Sequence, residues 1–209
     1  MVLISALRVV GLVFAFVLLA VFGENLRGTE IDESILLDGS RYGSRQQFSY
    51  TGARCRTSNL TDDELQLRQA EMDAMPEEMS DALTVKKVRV FFHVITTSSG
   101  KGNLAASSIN AQMNVLNRAY QGSIVQFVLS GTTTTRNDAW AGAKMGSNEE
   151  KQMKNALRTG VYRDLNIYTT VQSDNTLGWA TFPGNVGSDY RMDGVVVDFR
   201  SLPGGNFAP

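Results

Sequence analysis

Hydrophobic and polar positions divide the chain into two parts with different patterns. From residue 85 onward, apolar residues recur at the spacings of strands and helices, whereas Glu24–Ala53 has no sustained apolar period. That earlier stretch is rich in Gly, Ser, Arg and Gln, which is typical of a segment that becomes ordered only against another surface. We therefore expect one folded unit in residues 85–209, preceded by a separate segment over residues 24–84.

Strand patterns occur five times in the second part. Within Val88–Ile95, alternate residues place Val88, Val90, Phe92 and Val94 on one face, which predicts a strand. Four further runs rich in β-branched and aromatic residues predict strands at Ile124–Leu129, Leu165–Thr170, Gly178–Phe182 and Gly194–Phe199.

Capping boxes predict two helices. Thr61–Glu64 and Ser147–Glu150 both have the Ser/Thr-x-x-Glu pattern that satisfies free backbone N–H groups at a helix start. The first helix is expected to run to about Met75, because Pro76 disfavours a helical residue before it. The second is expected to end at Gly160 and to bury a stripe formed by Met153, Ala156 and Leu157.

A third helix is predicted between the first two strands. Ser107 or Ser108 is expected to cap it, Gly122 to end it, and its apolar stripe to comprise Ile109, Met113, Leu116 and Tyr120. The resulting order of strand, helix, strand, helix and three strands predicts an α/β (α+β) domain with a mixed, partly parallel sheet.

The first 23 residues have the features of a secretory signal peptide. Arg8 supplies a positive charge, and the apolar run Val9–Gly23 follows it. This run is shorter than the roughly 20 residues that a membrane-spanning helix needs. We therefore predict cleavage before Glu24, a secreted, extracellular product and no stable membrane anchor, and an uncleaved membrane anchor is the alternative. The sequon at Asn59 fits secretion and predicts a glycosylation site.

Composition limits the chemistry of these 209 residues. The chain has one cysteine and one histidine, which excludes an intrachain disulfide, a His/Cys zinc cluster and an H-E-x-x-H helix within it. Residues 24–84 contain 13 acidic and 6 basic residues, whereas residues 85–209 contain 8 acidic and 13 basic ones. This asymmetry favours docking of one part on the other, and two ordinary solvated surfaces are the alternative.

The individual candidates carry little chemistry of their own. His93 lies within a predicted strand, so we expect it to be buried and bonded to a neighbour rather than catalytic. The spacing of Asp189, Asp193 and Asp198 matches no calcium loop, and we expect all three to be solvated. The sequence lacks a nucleotide-binding motif and a dense basic stripe, so no nucleic-acid partner is predicted. Cys55 is a free thiol, an intermolecular disulfide partner or a metal-capping thiolate.

Several short motifs follow one another between Arg54 and Gly205. They are VFFHVI at 90–95, INAQMNVLNRAY at 109–120, FVLSGT at 127–132, ALRTG at 156–160, LNIY at 165–168, LGWATFP at 177–183, DGVVV at 193–197 and SLPGG at 201–205. In this order they resemble the N-terminal half of the catalytic domain of pappalysin-type metzincins. These are secreted zinc metalloproteases related to pregnancy-associated plasma protein A, and the resemblance is greatest to their fungal extracellular members.

The resemblance implies a fold and a substrate-binding edge. The fold is the upper subdomain of a metzincin catalytic domain, a twisted five-stranded mixed sheet with two backing helices. By resemblance, Gly178, Trp179, Ala180 and Thr181 form the edge strand that binds an extended peptide or protein substrate through main-chain hydrogen bonds. Core or loop packing is the alternative role for Trp179 and Phe182.

Residues 24–84 resemble an acidic pro-segment. The stretch from Arg54 to Thr57 is similar to the family's R-C-G-T motif, with Arg56 in place of the glycine, and the resemblance implies that Cys55 caps zinc in the latent form. The family's zinc motif, H-E-x-x-H-x-x-G-x-x-H, follows the Ser-Leu-Pro-Gly-Gly stretch and is expected beyond Pro209. By resemblance, therefore, no catalytic, cofactor-binding or metal-binding residue is assigned within this chain.

The sequence thus predicts the N-terminal portion of a secreted zinc-dependent metalloendopeptidase. Zinc is the cofactor expected for the full-length enzyme, and this chain alone is predicted to bind none and to be inactive. The alternative is a truncated, non-catalytic secreted protein that binds a peptide or a protease through its sheet edge.

Overall fold

The structure, a computed structural model, describes residues 35–37, 40–42, 57, 61–73, 85–174, 176–181 and 190–205. The predicted signal peptide (1–23), Cys55, Asn59, Phe182 and Asp189 lie outside the described residues. The elements, in chain order, are β1 (Ile35–Leu37), β2 (Ser40–Tyr42), α1 (Asp62–Asp73), β3 (Lys86–Thr96), α2 (Ala106–Ala119), β4 (Val125–Arg136), α3 (Asp138–Ala141), α4 (Asn148–Leu157), β5 (Leu165–Thr170), β6 (Gly178–Ala180) and β7 (Val195–Asp198).

Five of the strands form one mixed sheet in the order β4-β3-β5-β7-β6. All neighbouring pairs are parallel except β6 and β7, which run antiparallel. The connection from β3 to β4 contains α2 and the connection from β4 to β5 contains α3 and α4, whereas the connection from β5 to β7 contains β6. The prediction of an α/β fold with a five-stranded mixed sheet is confirmed.

Strand β4 is twice as long as predicted. It continues from Val125 through four consecutive threonines to Arg136, although the prediction ended at Leu129. The pairing register shifts between Val90 and Phe91 of β3, so that Ser130 is skipped and Gly131 pairs with Phe91. The shift is a β-bulge, and the β-branched threonines beyond it pair regularly with β3.

The two faces of the sheet carry separate cores. On the first face, alternate side chains of β3 pack with α2, in a cluster that includes Val90, Phe92, Ile109, Met113 and Leu116. On the second face, α3 and α4 contribute to a cluster formed by Ile95, Ala141, Met153, Tyr168, Trp179 and Val196. The two main helices, α2 and α4, therefore cover opposite faces of the sheet.

The helix starts agree with the capping predictions at two sites and disagree at one. The hydroxyl of Thr61 accepts from Glu64 N, and the Glu64 carboxylate accepts from Thr61 N at 2.8 Å. The hydroxyl of Ser147 likewise accepts from Glu150 N. The predicted cap at Ser107 or Ser108 is wrong, because α2 begins earlier, after an N-cap at Ala105 that makes no side-chain hydrogen bond.

Among the described residues, no helix is both long enough and apolar enough to cross a membrane.

A buried valine and a partly exposed valine of the sheet are expected to lose different amounts of unfolding free energy when each is replaced by alanine. Val90 is fully buried, whereas Val128 is 38 % exposed. We expect Val90→Ala to lower the free energy of unfolding by about 2 kcal/mol, because it removes buried methyl groups and leaves a cavity. Val128→Ala is the matched control, with an expected change of about 0.5 kcal/mol or less. Urea denaturation measures both, and equal losses would contradict this assignment of the core.

Candidate functional site at the sheet edge

Among the described residues, strand β6 is the outermost strand on one side of the sheet and pairs only with β7. Gly178 begins it, and a Cβ at this position would lie 2.5 Å from the carbonyl oxygen of Val196. Only glycine permits the two strands to approach this closely. The strand ends at Ala180, and Thr181 follows it outside the ladder, so the structure gives a shorter strand than the predicted Gly178–Phe182.

The backbone of β6 presents its polar groups to the side away from β7. Trp179 pairs with Val196, and Leu177 O accepts from Asp198 N at 2.8 Å. Residues between such hydrogen-bonded positions in an antiparallel ladder point the other way. The N–H and C=O groups of Gly178 and Ala180 therefore face outward, where an additional extended strand would lie.

The outward N–H of Ala180 has a partner from the segment that precedes the sheet. It donates to the hydroxyl oxygen of Thr57 at 3.0 Å, across 123 positions of sequence. Thr57 is the last residue of the Arg54–Thr57 motif. The structure therefore brings Thr57, the one described residue of this motif, to the same strand edge that the sequence predicts to bind substrate.

The side chain of Trp179 belongs to the core. Its indole is buried in the cluster on the second face, and Nε1 donates to Glu150 Oε1 at 2.7 Å. The same carboxylate accepts from Gly146 N at 2.6 Å and from Lys154 Nζ at 2.8 Å. Core packing, one of the two roles considered for Trp179, thus describes its side chain, while its backbone forms the edge strand.

Lys154 extends this contact to the turn beyond β6. Its buried ammonium group donates to Met192 O at 2.9 Å, and the hydroxyl of Thr181 donates to the same oxygen at 3.2 Å. The pair formed by Glu150 and Lys154 therefore holds both β6 and the Tyr190–Met192 turn against α4. The prediction that Ala156 belongs to the buried stripe of α4 is wrong. Ala156 is exposed, and the residue buried next to Met153 is Lys154.

A second buried ion pair lies beside the first. Arg158 Nη2 is 3.8 Å from Asp193 Oδ2, and Arg158 Nη1 donates to Asp193 O at 3.2 Å. Asp193 Oδ1, Arg158 Nε and the Tyr168 hydroxyl make no hydrogen bond within the described residues. Burial raises the pKa of Asp193 to about 6, although Arg158 and Lys154 oppose the shift.

The solvation predicted for two aspartates is therefore wrong. Asp193 is buried beside Arg158, and Asp198 is fully buried at the end of β7. Asp198 accepts from Gln172 N and from both the backbone N and the Nε of Arg200. A carboxylate that receives several donors is stable in the interior, and spacing along the sequence does not reveal those donors.

His93 is a structural residue, as predicted. It is buried between Thr133 Oγ1 at Nδ1 and Asn166 Oδ1 at Nε2, both at 2.8 Å, and it stacks on Tyr168. Burial lowers the pKa of His93, although the hydrogen bond that its Nε2 donates to Asn166 Oδ1 opposes this shift. Both ring nitrogens are occupied by neighbours, which leaves the imidazole no free position for a substrate.

The residues present do not fit a zinc site. Within the described part of the chain, no three His, Cys, Asp or Glu side chains lie together in a way that could hold a metal ion. The only histidine of the sequence is enclosed as described above. We therefore derive no catalytic step through a metal from these residues.

Several fungal proteins are similar to this chain in sequence, and each is named an extracellular metalloprotease. An extracellular metalloprotease of Sordaria macrospora is 40 % identical over 124 residues, which are 57 % of this chain and 42 % of that protein. One of Neurospora crassa is 37 % identical over 148 residues, covering 68 % and 50 %, and one of Colletotrichum graminicola is 35 % identical over 163 residues, covering 74 % and 57 %. Over the aligned residues the chain is similar to these fungal extracellular metalloproteases. It spans about half the length of these relatives, and no family model matches it.

A solved structure supports the fold. A variant of promirolysin from Tannerella forsythia superposes with a TM-score of 0.50 at 20 % identity, over 70 % of this chain and 60 % of that one. At this identity the likeness concerns the fold alone. It agrees with the mixed five-stranded sheet expected from the resemblance to metzincin catalytic domains.

The carboxylate of Glu150 is expected to be essential for folding. Glu150→Gln leaves the buried ammonium of Lys154 without its counter-charge, which costs about 3–5 kcal/mol of unfolding free energy. Glu149→Gln, at the exposed neighbouring position, is the matched control. Urea denaturation measures the losses, and the double variant Glu150→Gln, Lys154→Met is expected to recover part of the stability. A Glu150→Gln loss no greater than that of Glu149→Gln would refute the role of the pair.

Asp193 is expected to make stability depend on pH. The folded chain keeps the Asp193 proton up to about pH 6, whereas the unfolded chain releases it near the ordinary pKa of 3.8. The contribution of this residue to stability therefore falls as pH rises between these values. The Asp193→Asn variant has no carboxyl group that titrates at this position, so it should not lose this stability as pH rises. The unfolding free energy of the variant minus that of the parent should therefore increase by on the order of 3 kcal/mol from pH 4 to pH 7. Chemical denaturation at each pH measures it, with exposed Asp63→Asn as control; parallel profiles would contradict the assignment.

Proposed function

We propose that this chain is the N-terminal portion of a secreted zinc-dependent metalloendopeptidase that hydrolyses peptide bonds in proteins. The proposal is supported by the similarity to fungal extracellular metalloproteases and by the fold shared with promirolysin. The observation that carries it is the edge of β6, where the backbone N–H and C=O groups of Gly178 and Ala180 face away from β7 and where Thr57 already accepts from the N–H of Ala180, as a strand-like segment would.

In this proposal the chain contributes substrate positioning rather than the hydrolytic groups. An extended peptide adds to β6 as a further strand, and main-chain hydrogen bonds set its direction and register. The rigid support comes from Trp179, whose indole is fixed by Glu150. Zinc and a general base belong to the family's H-E-x-x-H motif, which these 209 residues do not contain, so the chain alone is proposed to be inactive.

The proposal divides the chain into three functional parts. Residues 1–23 are the signal peptide, residues 24–84 the acidic pro-segment with the Asn59 sequon, and residues 85–209 the upper half of the catalytic domain. The hydrogen bond from Ala180 to Thr57 supports docking of the pro-segment on the substrate edge. Cys55, two positions before Thr57, is the thiol proposed to block the zinc of the longer enzyme.

The decisive experiment begins with the gene. The reading frame beyond codon 209 is determined, and any longer protein it encodes is expressed and assayed on an unstructured protein substrate with and without a chelator. The proposal expects an H-E-x-x-H motif and zinc-restorable cleavage by the longer protein, and no cleavage by the 209-residue chain. A verified stop codon together with a secreted 209-residue product that binds peptides would favour the alternative, a non-catalytic protein that binds through β6. That alternative is supported by the single histidine of the chain.

The substrate edge itself is tested by removing one backbone donor. In the longer protein, Ala180→Pro removes the outward N–H but none of the hydrogen bonds to β7. We expect kcat/KM to fall about three- to tenfold, which corresponds to the loss of one hydrogen bond. Ala180→Gly keeps the N–H and is the matched control, and a thermal melt checks that both variants fold. Unchanged kcat/KM in a folded Ala180→Pro enzyme would exclude β6 as the substrate edge.

A further inference from the structure

Three buried side chains from different elements meet beside the Tyr190–Met192 turn. Arg158 follows the last residue of α4, Tyr168 lies in β5, and Asp193 immediately follows the turn. The side chains of Arg158 and Asp193 are 2 % and 3 % exposed, and Tyr168 is fully enclosed. Within the described residues, Arg158 Nε, Asp193 Oδ1 and the Tyr168 hydroxyl nevertheless make no hydrogen bond. Protein interiors seldom leave even one such atom unpaired, so each of these atoms calls for a partner.

The three groups lie close enough to share one partner. Arg158 Nη1 donates to the main-chain oxygen of Asp193 at 3.2 Å. Gly194, the next residue, packs against the ring of Tyr168, since a Cβ there would lie 2.8 Å from Tyr168 Cε2. Burial raises the pKa of Tyr168, and the charges of Arg158 and Asp193 act on this pKa in opposite directions. The Tyr168 hydroxyl is therefore near both members of the ion pair.

The side chains of Arg158 and Asp193 do not reach direct hydrogen-bond contact. Arg158 Nη2 is 3.8 Å from Asp193 Oδ2, which is beyond the usual N–H···O range. The two terminal nitrogens of Arg158 donate instead to the main-chain oxygens of Val161, Asp164 and Asp193. Turning Nε toward Asp193 Oδ1 would break these contacts. A polar pair held at this separation is one that a water molecule can join.

The surrounding charges identify the chemical class of the partner. Lys154 and Arg158 are paired with Glu150 and Asp193, so the buried charges of the cluster balance. An added ion of either sign would have no counter-charge of its own, and an unpaired buried charge is costly. The partner must therefore be uncharged. It must accept from Arg158 Nε–H and donate to Asp193 Oδ1, whereas the hydroxyl of Tyr168 can donate or accept. Water meets these requirements, and buried water typically makes about three hydrogen bonds.

We propose that Arg158, Tyr168 and Asp193 enclose one buried water molecule. Its oxygen accepts from Arg158 Nε–H, one of its hydrogens is donated to Asp193 Oδ1, and the Tyr168 hydroxyl makes the third hydrogen bond. The water thus joins the end of α4, the strand β5 and the segment before β7. Met192, next to Asp193, accepts from the hydroxyl of Thr181. The same water therefore supports the turn that holds the carboxyl end of β6, whether or not the chain belongs to a peptidase.

The water is tested by NMR on the isotopically labelled 209-residue chain, with NOESY and ROESY spectra recorded at the water frequency. We expect cross-peaks from water to the Hα protons of Gly194 and the Hε protons of Tyr168. Their signs should be opposite in the two spectra, as a long-lived bound water gives and chemical exchange does not. Leu165, which is equally buried in the apolar core of the first face, is the internal control, and its methyl groups should show no such cross-peak. Absence of both expected cross-peaks from the folded chain would overturn the proposal.

The variant Tyr168→Phe separates a bound water from a signal relayed by the hydroxyl proton of Tyr168. It has no hydroxyl, but the water keeps Arg158 Nε and Asp193 Oδ1 as partners, so the cross-peaks at Gly194 and at the aromatic ring should persist. Their loss from a folded Tyr168→Phe chain would attribute the signal to the hydroxyl and refute the proposal.

A crystal structure of the parent chain is the second measurement. We expect density for one water within about 3.2 Å of Arg158 Nε, Asp193 Oδ1 and the Tyr168 hydroxyl. Direct hydrogen bonds among these three side chains in its place would also overturn the proposal. None of these results bears on the proposed peptidase function, since no cleavage is measured.

Discussion

The carboxylate of Glu150 connects three parts of the chain that are distant in sequence. It accepts a hydrogen bond from Gly146 N just before α4, and it pairs with the buried ammonium of Lys154 one turn later. It also accepts a hydrogen bond from the indole N–H of Trp179. A charge buried this deeply is tolerated only when all its partners are present, so α4 and β6 are ordered together. The position of the sheet edge thus depends on an ionic contact that lies over one face of the sheet, where the side chain of Trp179 packs.

This arrangement explains how a three-residue strand forms a defined edge. So short a strand gains little from its own ladder, and it has a neighbour on one side only. Trp179 instead anchors it through a large buried side chain with a fixed hydrogen bond, while Gly178 permits a close approach to β7. The backbone groups that face outward are consequently held in place before any peptide arrives, which lowers the ordering cost of binding.

The sequence was sufficient for features determined by local chemistry. Strand β5 has the predicted bounds because its residues are mostly β-branched or aromatic, and the capping boxes at Thr61 and Ser147 define helix starts over four residues. The sequence was insufficient where a partner distant in the chain decides whether a side chain is buried or how far a strand extends. Asp193 and Asp198 were predicted to be solvated, but both are buried beside donors or charges from other elements, and the buried Lys154 was not foreseen in the stripe of α4. The extension of β4 likewise depends on a bulge that only the pairing with β3 reveals.

The same distinction applies to the candidate site itself. The β6 edge was predicted from the order of motifs, because a strand proposed to bind a peptide would do so with backbone groups and needs only a recognisable position in the fold. The contacts that hold this strand have no motif, since Glu150 and Lys154 lie on α4 and Trp179 lies on β6. Which side chains meet across such a distance in sequence is therefore visible only once the strand order and the helix crossovers are known.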